Sequence, residues 1–357
     1  MRGKTMTEKF YLEDILSQKA ELQKMMAHYR SGQELEKLLR LRELKGRKII
    51  FSGMGSSHFC AYGAAVRLQQ HGISSQVIST GELIYYEKEC LEKDTVLCLI
   101  SQSGESAETK HLLELAGDDI FLIAVTNHPE STLGRRGRIC FPLYVADEIS
   151  VTTRTYLSSL IVTQLIAAAV AGEELSPILA EYDKTVSRIG GYLAAWQEET
   201  DRLADFCRDM KYICLIGRGD SLSSVRAGAL FFREVVKFPA LDFDSAEFRH
   251  GPMEMVQEDF YGIVFAPSGR TQKLSLQMAA DIAAKGGKVI LITDGGAYGS
   301  AVLEQENVLP VMLGEIKEYA SPVLQILPVQ LLANELAEEK KIPAGVFRWG
   351  SKVMEVE

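Results

Sequence analysis

Short, continuously apolar runs recur in the first half of the chain, and each ends in a polar turn. The three runs with their turns are KIIFSGMGSS (48–57), TVLCLISQSGES (95–106) and IFLIAVTN (120–127). A helix-length amphipathic segment follows each run. Unbroken apolar runs of this length are typical of strands buried on both faces of a parallel sheet, and the intervening segments are long enough for crossover helices.

The second half of the chain repeats this order of elements. Its three runs are KYICLIGRGDS (211–221), GIVFAPSGRT (262–271) and KVILITDGG (288–296). Gly55 and Gly104 lie 49 positions apart, and Gly219 and Gly269 lie 50 positions apart. A repeated order with repeated spacing indicates a duplicated structural unit. The fold class predicted is therefore α/β, with two doubly wound parallel-sheet lobes related by an internal repeat.

The predicted division of the chain follows from these lobes. The segments are an N-terminal helical segment (1–43), a first lobe (44–195), a second lobe (196–345) and a C-terminal tail (346–357). Residues 174–207 are predicted to form linking helices, interrupted at Gly190-Gly191. The most apolar run, Tyr156–Gly172, is short for a membrane span and carries Ser, Thr and Gln, which favours a buried core helix.

Composition and charge narrow the class of protein. With 46% hydrophobic and 24% charged residues, the 357-residue chain has the profile of an ordinary globular protein. A net charge of −9 argues against a general surface for nucleic acid or anionic membranes. The polar start of the chain does not resemble a signal peptide, so a cytoplasmic location is expected. The six cysteines contain no CxxC pair, so neither a zinc site nor a disulfide framework is predicted.

Two of the polar turns predict an anion site. Residues 53–57 (GMGSS) and 101–106 (SQSGES) follow predicted parallel strands, whose carboxyl ends are where ligands bind in such sheets. Free backbone N–H groups, a helix N-terminus and several hydroxyls together can hold a phosphate. The alternative is that the serines are only helix caps and turn residues. Neither turn is a Walker A motif, and His58 stands where a dinucleotide motif needs its third glycine.

A second candidate cluster lies in the second half of the chain. Arg233-Glu234 falls in a helical stretch, and His250 follows in the turn FRHGP. Glu234 could simply pair with Arg233 or Lys237. A carboxylate partly buried in a cleft would instead have a raised pKa, which suits proton transfer at carbon.

Several long motifs, in order, resemble one family. SQSGES, the segment from GRGDS to EFRHGP, and the C-terminal LPVQLLANELAEEKK and SKVMEVE resemble motifs of the SIS (sugar isomerase) domain family. They are most similar to those in the isomerase half of glucosamine-fructose-6-phosphate aminotransferases. The similarity extends from about residue 45 to the last residue. The resemblance implies a phosphorylated amino sugar as ligand and a tail that closes over the site.

Individual roles follow from the resemblance. Glu234 would move a proton between C1 and C2, His250 would assist ring opening, and Lys352 would form a Schiff base with an open-chain ketose. The turn around His250 reaches a neighbouring subunit in that family, which implies a homodimer with sites near the interface. The chemistry needs no metal or redox cofactor. The residues matched to phosphosugar-binding positions are Ser56, Ser57, Ser101, Gln102, Ser103, Ser106, Val151 and Thr153.

Departures from the family pattern leave three functions open. The chain begins MRGKT and has no glutaminase segment, so we expect no ammonia production from glutamine. Retention of Lys352 favours an isomerase or deaminase of an amino-sugar phosphate. The EFRHGP turn, and Arg348-Trp349 in the tail, favour a deglycase of fructosamine 6-phosphates. A third alternative is a sugar-phosphate sensor, although only about 45 residues precede the first lobe, where a DNA-binding domain would have to lie.

Overall fold

The computed structural model describes residues 10–354, and the strands of this part form two five-stranded parallel sheets. The first sheet contains β1 (Ile49–Gly53), β2 (Ser75–Ser79), β3 (Val96–Ile100), β4 (Phe121–Thr126) and β5 (Ile139–Pro142). The second contains β6 (Ile213–Gly217), β7 (Ala240–Asp244), β8 (Tyr261–Ala266), β9 (Lys288–Thr293) and β10 (Val308–Met312).

Both sheets have the same topology. The first has the strand order β2-β1-β3-β4-β5, and the second, read from its other edge, has β7-β6-β8-β9-β10. Counted from its own first strand, each sheet therefore runs 2-1-3-4-5, a common doubly wound order. The internal repeat predicted from the spacing of the apolar runs is confirmed, and so is the α/β class.

Burial explains which strands the sequence revealed. Every residue of β1, β3, β6 and β8 is buried, which matches their unbroken apolar runs. The strands that went unpredicted are the four at the sheet edges, β2, β5, β7 and β10. Each has partly exposed positions, so its hydrophobic pattern is weaker.

Helices connect the strands and precede them. The helices before and within the first repeat are α1 (Phe10–Tyr29), α2 (Gly32–Arg40), α3 (Ser56–Phe59), α4 (Tyr62–Gln70), α5 (Thr80–Tyr85), α6 (Ala107–Ala116), α7 (Thr132–Arg136) and α8 (Arg154–Ala171). The later helices are α9 (Leu175–Leu193), α10 (Trp196–Phe206), α11 (Leu222–Phe231), α12 (Ser245–Arg249), α13 (Gln272–Ala284) and α14 (Ser321–Glu339).

The most apolar helix lies in the interior. All 18 residues of α8 are buried, as predicted for the run that begins at Tyr156. By length and hydropathy this helix could cross a membrane, yet its whole window is buried inside the protein. Gly172 ends it in the left-handed conformation, at φ +80°, where a residue without a Cβ is favoured.

One helix prediction was wrong. The linking helix does not stop at Gly190-Gly191 but continues to Leu193, and the break falls at Ala194-Ala195 instead. A glycine inside a helix costs only about 1 kcal/mol relative to alanine. The apolar face of α9, which includes the buried Val186 and Ile189, is sufficient to offset that cost.

The chain separates into two compact units. Of the described residues, the first holds 17–186 and 347–354, and the second holds 187–346 and 10–16. Each unit has its own apolar core around its sheet. Leu97, Leu99 and Leu112 lie in the core of the first unit, and Val264, Met278 and Leu291 in that of the second. The tail therefore belongs structurally to the first unit.

Candidate functional site

The loop between β3 and α6, residues 101–106, is held in shape by hydrogen bonds to its own serines, and we call it the serine loop. Ser101 Oγ accepts from the N–H of Gly104 at 3.1 Å, and Ser103 Oγ accepts from the N–H of Glu105 at 3.2 Å. Ser106 is the N-cap of α6 and accepts from the N–H of Thr109 at 3.4 Å. Capping and turn formation are thus real roles of these residues. The loop they shape leads into the positive end of a ten-residue helix.

Glycine is required at the centre of this loop. Gly104 has φ +66°, and a Cβ placed on it would lie 2.0 Å from Ser131 Oγ. Ser131 cannot easily move, since its hydroxyl caps α7 by accepting from the N–H of Gly134 at 3.2 Å. The loop and the start of α7 are therefore packed without space for a side chain.

Gly104→Ala should destabilise the protein by about 1–3 kcal/mol and weaken binding of the sugar phosphate that the family resemblance implies as ligand, because the loop must shift to avoid Ser131. Thermal unfolding and calorimetric titration with glucosamine 6-phosphate measure the two effects. Gly72→Ala is the control, since Gly72 has φ +72° but open space where a Cβ would lie. Equal losses in both variants would show that backbone strain alone, and not the close approach to Ser131, explains the effect.

A cleft lies beside this loop in the first unit. Predicted residues Ser56, Ser57 and Gln102 line it. The other lining residues, which the sequence analysis missed, are Thr152, Thr155, Tyr156 and Ser159. They lie at the start of α8, where hydroxyl residues cluster ahead of the most apolar helix, and that clustering was the signal available in the sequence. The cleft is narrow, with about 160 Å³ of empty space, and its lining presents hydroxyl and amide groups, which can hydrogen-bond a polyhydroxylated ligand.

The remaining predicted binding positions lie just before α8. Val151 is 1% exposed, and Thr153 is fully buried. Thr153 donates from both its N–H and its hydroxyl to Glu148 Oε1, at 2.8 Å each. Its side chain therefore supports a neighbouring carboxylate.

Glu148 is a buried residue beside the cleft that the sequence analysis did not single out. Its carboxylate is fully buried and also accepts from Thr155 Oγ1 at 2.6 Å and Thr152 Oγ1 at 3.2 Å. Burial raises the pKa of Glu148, but the Lys352 charge and the threonine donors outweigh it and hold that pKa below its usual value. Because Thr152 and Thr155 also line the cleft, this carboxylate is hydrogen-bonded directly to the cleft wall.

The partner of this carboxylate comes from the tail. Lys352 Nζ lies 3.3 Å from Glu148 Oε2 and donates to the carbonyl of Ser150 at 2.9 Å. Two residues later, the carbonyl of Met354 accepts from the N–H of Ala107, the first residue of α6, at 3.1 Å. The tail therefore contacts both the Glu148 segment and the helix that follows the serine loop. Lys352, 204 positions from Glu148 in sequence, reaches the cleft region by this route.

Glu148→Gln should lower stability by about 3 kcal/mol at pH 7, because it leaves Lys352 without its carboxylate and places an amide among donors. A carboxyl group with a lowered folded pKa stabilises above its unfolded pKa and loses that contribution as pH falls through the folded value. The difference in unfolding midpoint between wild type and variant should thus narrow from pH 7 toward pH 3. The control, Glu174→Gln, changes a carboxyl group that is 84% exposed. A difference that stays constant with pH would contradict the ion pair.

The second unit holds the other two predicted catalytic residues. Glu234 lies in a π-helical turn, Phe232–Val236, that extends α11. Short π-helical segments often occur at functional sites. Lys237 follows in the left-handed conformation, and its ammonium donates to the carbonyl of Glu234 and to that of Val346 at 2.7 Å. Arg233, one of the two residues that were considered as partners of Glu234, forms an ion pair with Asp242.

His250 is exposed immediately after α12, where the preceding residues are held in place. Asp244 caps that helix by accepting from the N–H of Ala246 at 2.6 Å, and buried Phe248 anchors it in the core of the second unit. Gly251 follows with φ +130°, a conformation that glycine adopts readily. The histidine is thus presented to solvent from a defined turn. Its role in ring opening stays a prediction.

The second unit has a loop that corresponds to the serine loop of the first unit. Two carboxylates of the protein itself occupy it. After β8, the N–H of Ser268 donates to Asp294 at 2.7 Å, and the Ser268 hydroxyl donates to the same carboxylate at 2.5 Å. Glu318 accepts from the N–H of Arg270 at 3.3 Å, and a Cβ on Gly269 would lie 2.1 Å from it. Asp294 and Glu318 thus supply the negative charge that this loop would otherwise take from a ligand. Within residues 10–354, no group of three or more His, Cys, Asp or Glu side chains could hold a metal ion.

A repeated doubly wound sheet with a serine loop and a hydroxyl-lined cleft defines a class of small-molecule-binding α/β protein. The model of the SIS domain family matches residues 44–169 and 207–337, which is more than half of the chain. The chain therefore belongs to the SIS domain family, and the two matched segments correspond to the two repeats.

Relatives and solved structures agree with this membership. The glutamine–fructose-6-phosphate aminotransferase (isomerizing) of Rhizobium meliloti is 31% identical over 264 residues, covering 71% of this chain and 43% of that protein. That of Brucella abortus is 29% identical over 267 residues, covering 71% of this chain and 42% of that protein. The chain thus spans less than half the length of these curated relatives.

Among solved structures, the C-terminal domain of glucosamine-fructose-6-phosphate aminotransferase from Francisella tularensis has a TM-score of 0.83 at 20% identity, covering 97% of this chain and 98% of that one. Glucosamine-6-phosphate deaminase from Thermotoga maritima has a TM-score of 0.77 at 18% identity, covering 97% and 99%. Tagatose-6-phosphate ketose/aldose isomerase from Escherichia coli has a TM-score of 0.74 at 20% identity, covering 98% and 99%. At these identities the likeness is one of fold.

Proposed function

We propose that the protein is an isomerase/deaminase of an amino-sugar phosphate of the glucosamine-6-phosphate type. The observation that carries this proposal is the Lys352–Glu148 pair, in which a tail amine is held at 3.3 Å from a buried carboxylate. That carboxylate is hydrogen-bonded to Thr152 and Thr155 of the cleft wall. A lysine without a chemical role is more commonly exposed, whereas the Lys352 side chain is only 22% exposed.

The proposed chemistry assigns each group one task. The serine loop and the cleft hydroxyls hold the phosphate and the sugar hydroxyls. In the deaminating direction, His250 assists the opening of the sugar ring. Glu234 then takes the C2 proton of the open-chain amino-aldose and delivers it to C1, which leaves a protonated imine at C2. The amine of Lys352 adds to C2 and ammonia leaves, so that a Schiff base to Lys352 forms. Water hydrolyses this Schiff base, which releases the ketose phosphate and frees Lys352.

The buried charge of Glu148 acts on the amine of Lys352. Glu148 stays ionised because its pKa is held below the usual range, so a negative charge faces Lys352 at neutral pH. This charge would stabilise the protonated imine once it has formed. The same carboxylate fixes Thr153 and Thr155 and so orders the start of α8.

A second candidate is a deglycase of fructosamine 6-phosphates, in which an amino acid takes the place of ammonia as leaving group. The observation that favours it is the composition of the tail near Lys352. Trp349 is 97% exposed, and Arg348 is also exposed. An aromatic ring and a guanidinium in this position could contact the apolar and carboxylate parts of a leaving amino acid.

Ammonia release from glucosamine 6-phosphate, measured beside turnover of a fructosamine-6-phosphate conjugate, distinguishes these functions. Ammonia together with fructose 6-phosphate from the first substrate is the expected result. Turnover of the conjugate alone would make the protein a deglycase. Binding of both ligands without turnover would instead indicate the non-catalytic sensor, and specific DNA binding would support that alternative.

We also propose that the protein acts in the cytoplasm as a homodimer, with the turn around His250 near the subunit interface. Exposure of His250 on an ordered turn is consistent with such a contact. Nucleic-acid or membrane binding is not expected for a chain with a net charge of −9. Light scattering at micromolar concentration would measure the mass of the assembly.

A further inference from the structure

The second unit contains a cavity that takes no part in the proposed function. Its volume is about 710 Å³, within the range of about 300–1,000 Å³ that is typical of small-molecule sites. One wall is formed by α9 and α10, whose lining residues recur at helical spacing. Residues from the end of β10 and from α14 also line the cavity, including Met312 and Leu324.

Two polar atoms in the lining are buried without a partner. Among the described residues, neither Arg188 Nη1 nor the Tyr192 hydroxyl has a hydrogen-bond partner. The two residues are four positions apart on α9 and therefore lie next to each other on one helix face. A buried donor without an acceptor costs free energy. A ligand that supplies an acceptor removes this cost, which favours binding of that ligand.

The charges around the cavity favour an anionic ligand. Arg202 is already engaged, because it donates to Glu199 at 2.7 Å and to the carbonyl of Pro310 at 2.9 Å. Burial, followed by the nearby Glu199 charge, raises the pKa of Tyr192, so its hydroxyl remains a neutral donor. Arg202 neutralises the charge of Glu199. Of the two arginines that line the cavity, Arg188 therefore has no carboxylate partner among the other lining residues.

We propose that this cavity binds a small amphipathic anion. A carboxylate or sulfonate group would accept from Arg188 and Tyr192, and an apolar body would pack against Met312 and Leu324. Gly191, between the two polar residues on α9, and Ala195, in the break after α9, carry little or no side chain and leave room for that body.

The probe for this proposal is 8-anilinonaphthalene-1-sulfonate, an aromatic sulfonate whose fluorescence rises in an apolar site. One saturable site per chain is expected. Arg188→Gln should weaken its binding about tenfold, which is the loss expected for a charge-assisted hydrogen bond. N-phenyl-1-naphthylamine has the same rings without the sulfonate and should bind the wild type at least about tenfold more weakly for the same reason.

A cavity-filling variant separates this site from other apolar surfaces such as the exposed Trp349. Gly191→Phe should abolish probe binding, and it should fold, because a Cβ on Gly191 meets nothing within 4 Å. Gly81→Phe is the matched control, since Gly81 lies on α5 with equally open surroundings, and it should bind the probe like the wild type. Probe binding that survives Gly191→Phe, or equal affinity for the uncharged analogue, would overturn the proposal.

Discussion

Replacing Lys352 with methionine is expected to lower kcat by a factor on the order of 10³, because the variant keeps an apolar stem but cannot form an imine. The variant should also lose the ability to form a covalent adduct with the sugar. Borohydride added with fructose 6-phosphate should reduce the imine of the wild type to a stable amine and add the sugar mass at Lys352. No such adduct should form in the variant.

Two further variants separate imine formation from charge and from general effects of substitution. Lys352→Arg keeps a positive charge beside Glu148, which lies 3.3 Å from the lysine in the wild type. Because arginine cannot form the imine, this variant should be as inactive as the methionine variant. Lys93→Met alters an exposed lysine of the first unit and should leave kcat unchanged. Activity retained in Lys352→Arg would reduce the role of Lys352 to binding.

Glu234→Gln is expected to lower kcat by about 10²–10⁴-fold, the usual contribution of a positioned general base. The amide has nearly the same shape as the carboxylate but cannot take a proton from carbon. Binding of fructose 6-phosphate, measured by titration calorimetry, should be nearly unchanged. Loss of exchange of the C1 proton with solvent would identify the blocked step.

The control for this substitution is Glu306→Gln, which removes an exposed carboxylate of the second unit and should have no effect. Near-normal turnover in Glu234→Gln would refute its assignment as the base. Loss of sugar-phosphate binding together with turnover would assign Glu234 a binding role instead. The position of Glu234 in a π-helical turn makes a conservative substitution preferable to alanine.

The candidate site was only partly predictable. Ser56, Ser57 and Gln102 could be found because each follows a strongly apolar strand, and strand ends converge at one edge of a parallel sheet. Tyr156 and Ser159 were hidden within the apolar run that indicated a core helix. A periodic pattern identifies the helix but does not distinguish a core-facing position from a cleft-facing one.

The sequence by itself determined the architecture. Unbroken apolar runs identify strands such as β3 and β8 because a strand covered on both faces admits few polar residues. The two nearly equal spacings then established the repeat. The edge strands were not found, because a strand partly exposed to solvent, such as β7, tolerates polar positions.

Only the tertiary structure decided how the chemistry is assembled. The pairing of Lys352 with Glu148 joins residues 204 positions apart, and no local pattern encodes it. The serine loop of the first unit and its counterpart near Ser268 look alike as sequence, yet Asp294 and Glu318 occupy only the second. The physical reason is the same in both cases. Hydrogen bonds and ion pairs act over a few ångströms in space, whatever the distance along the chain, so the fold selects which polar residues meet.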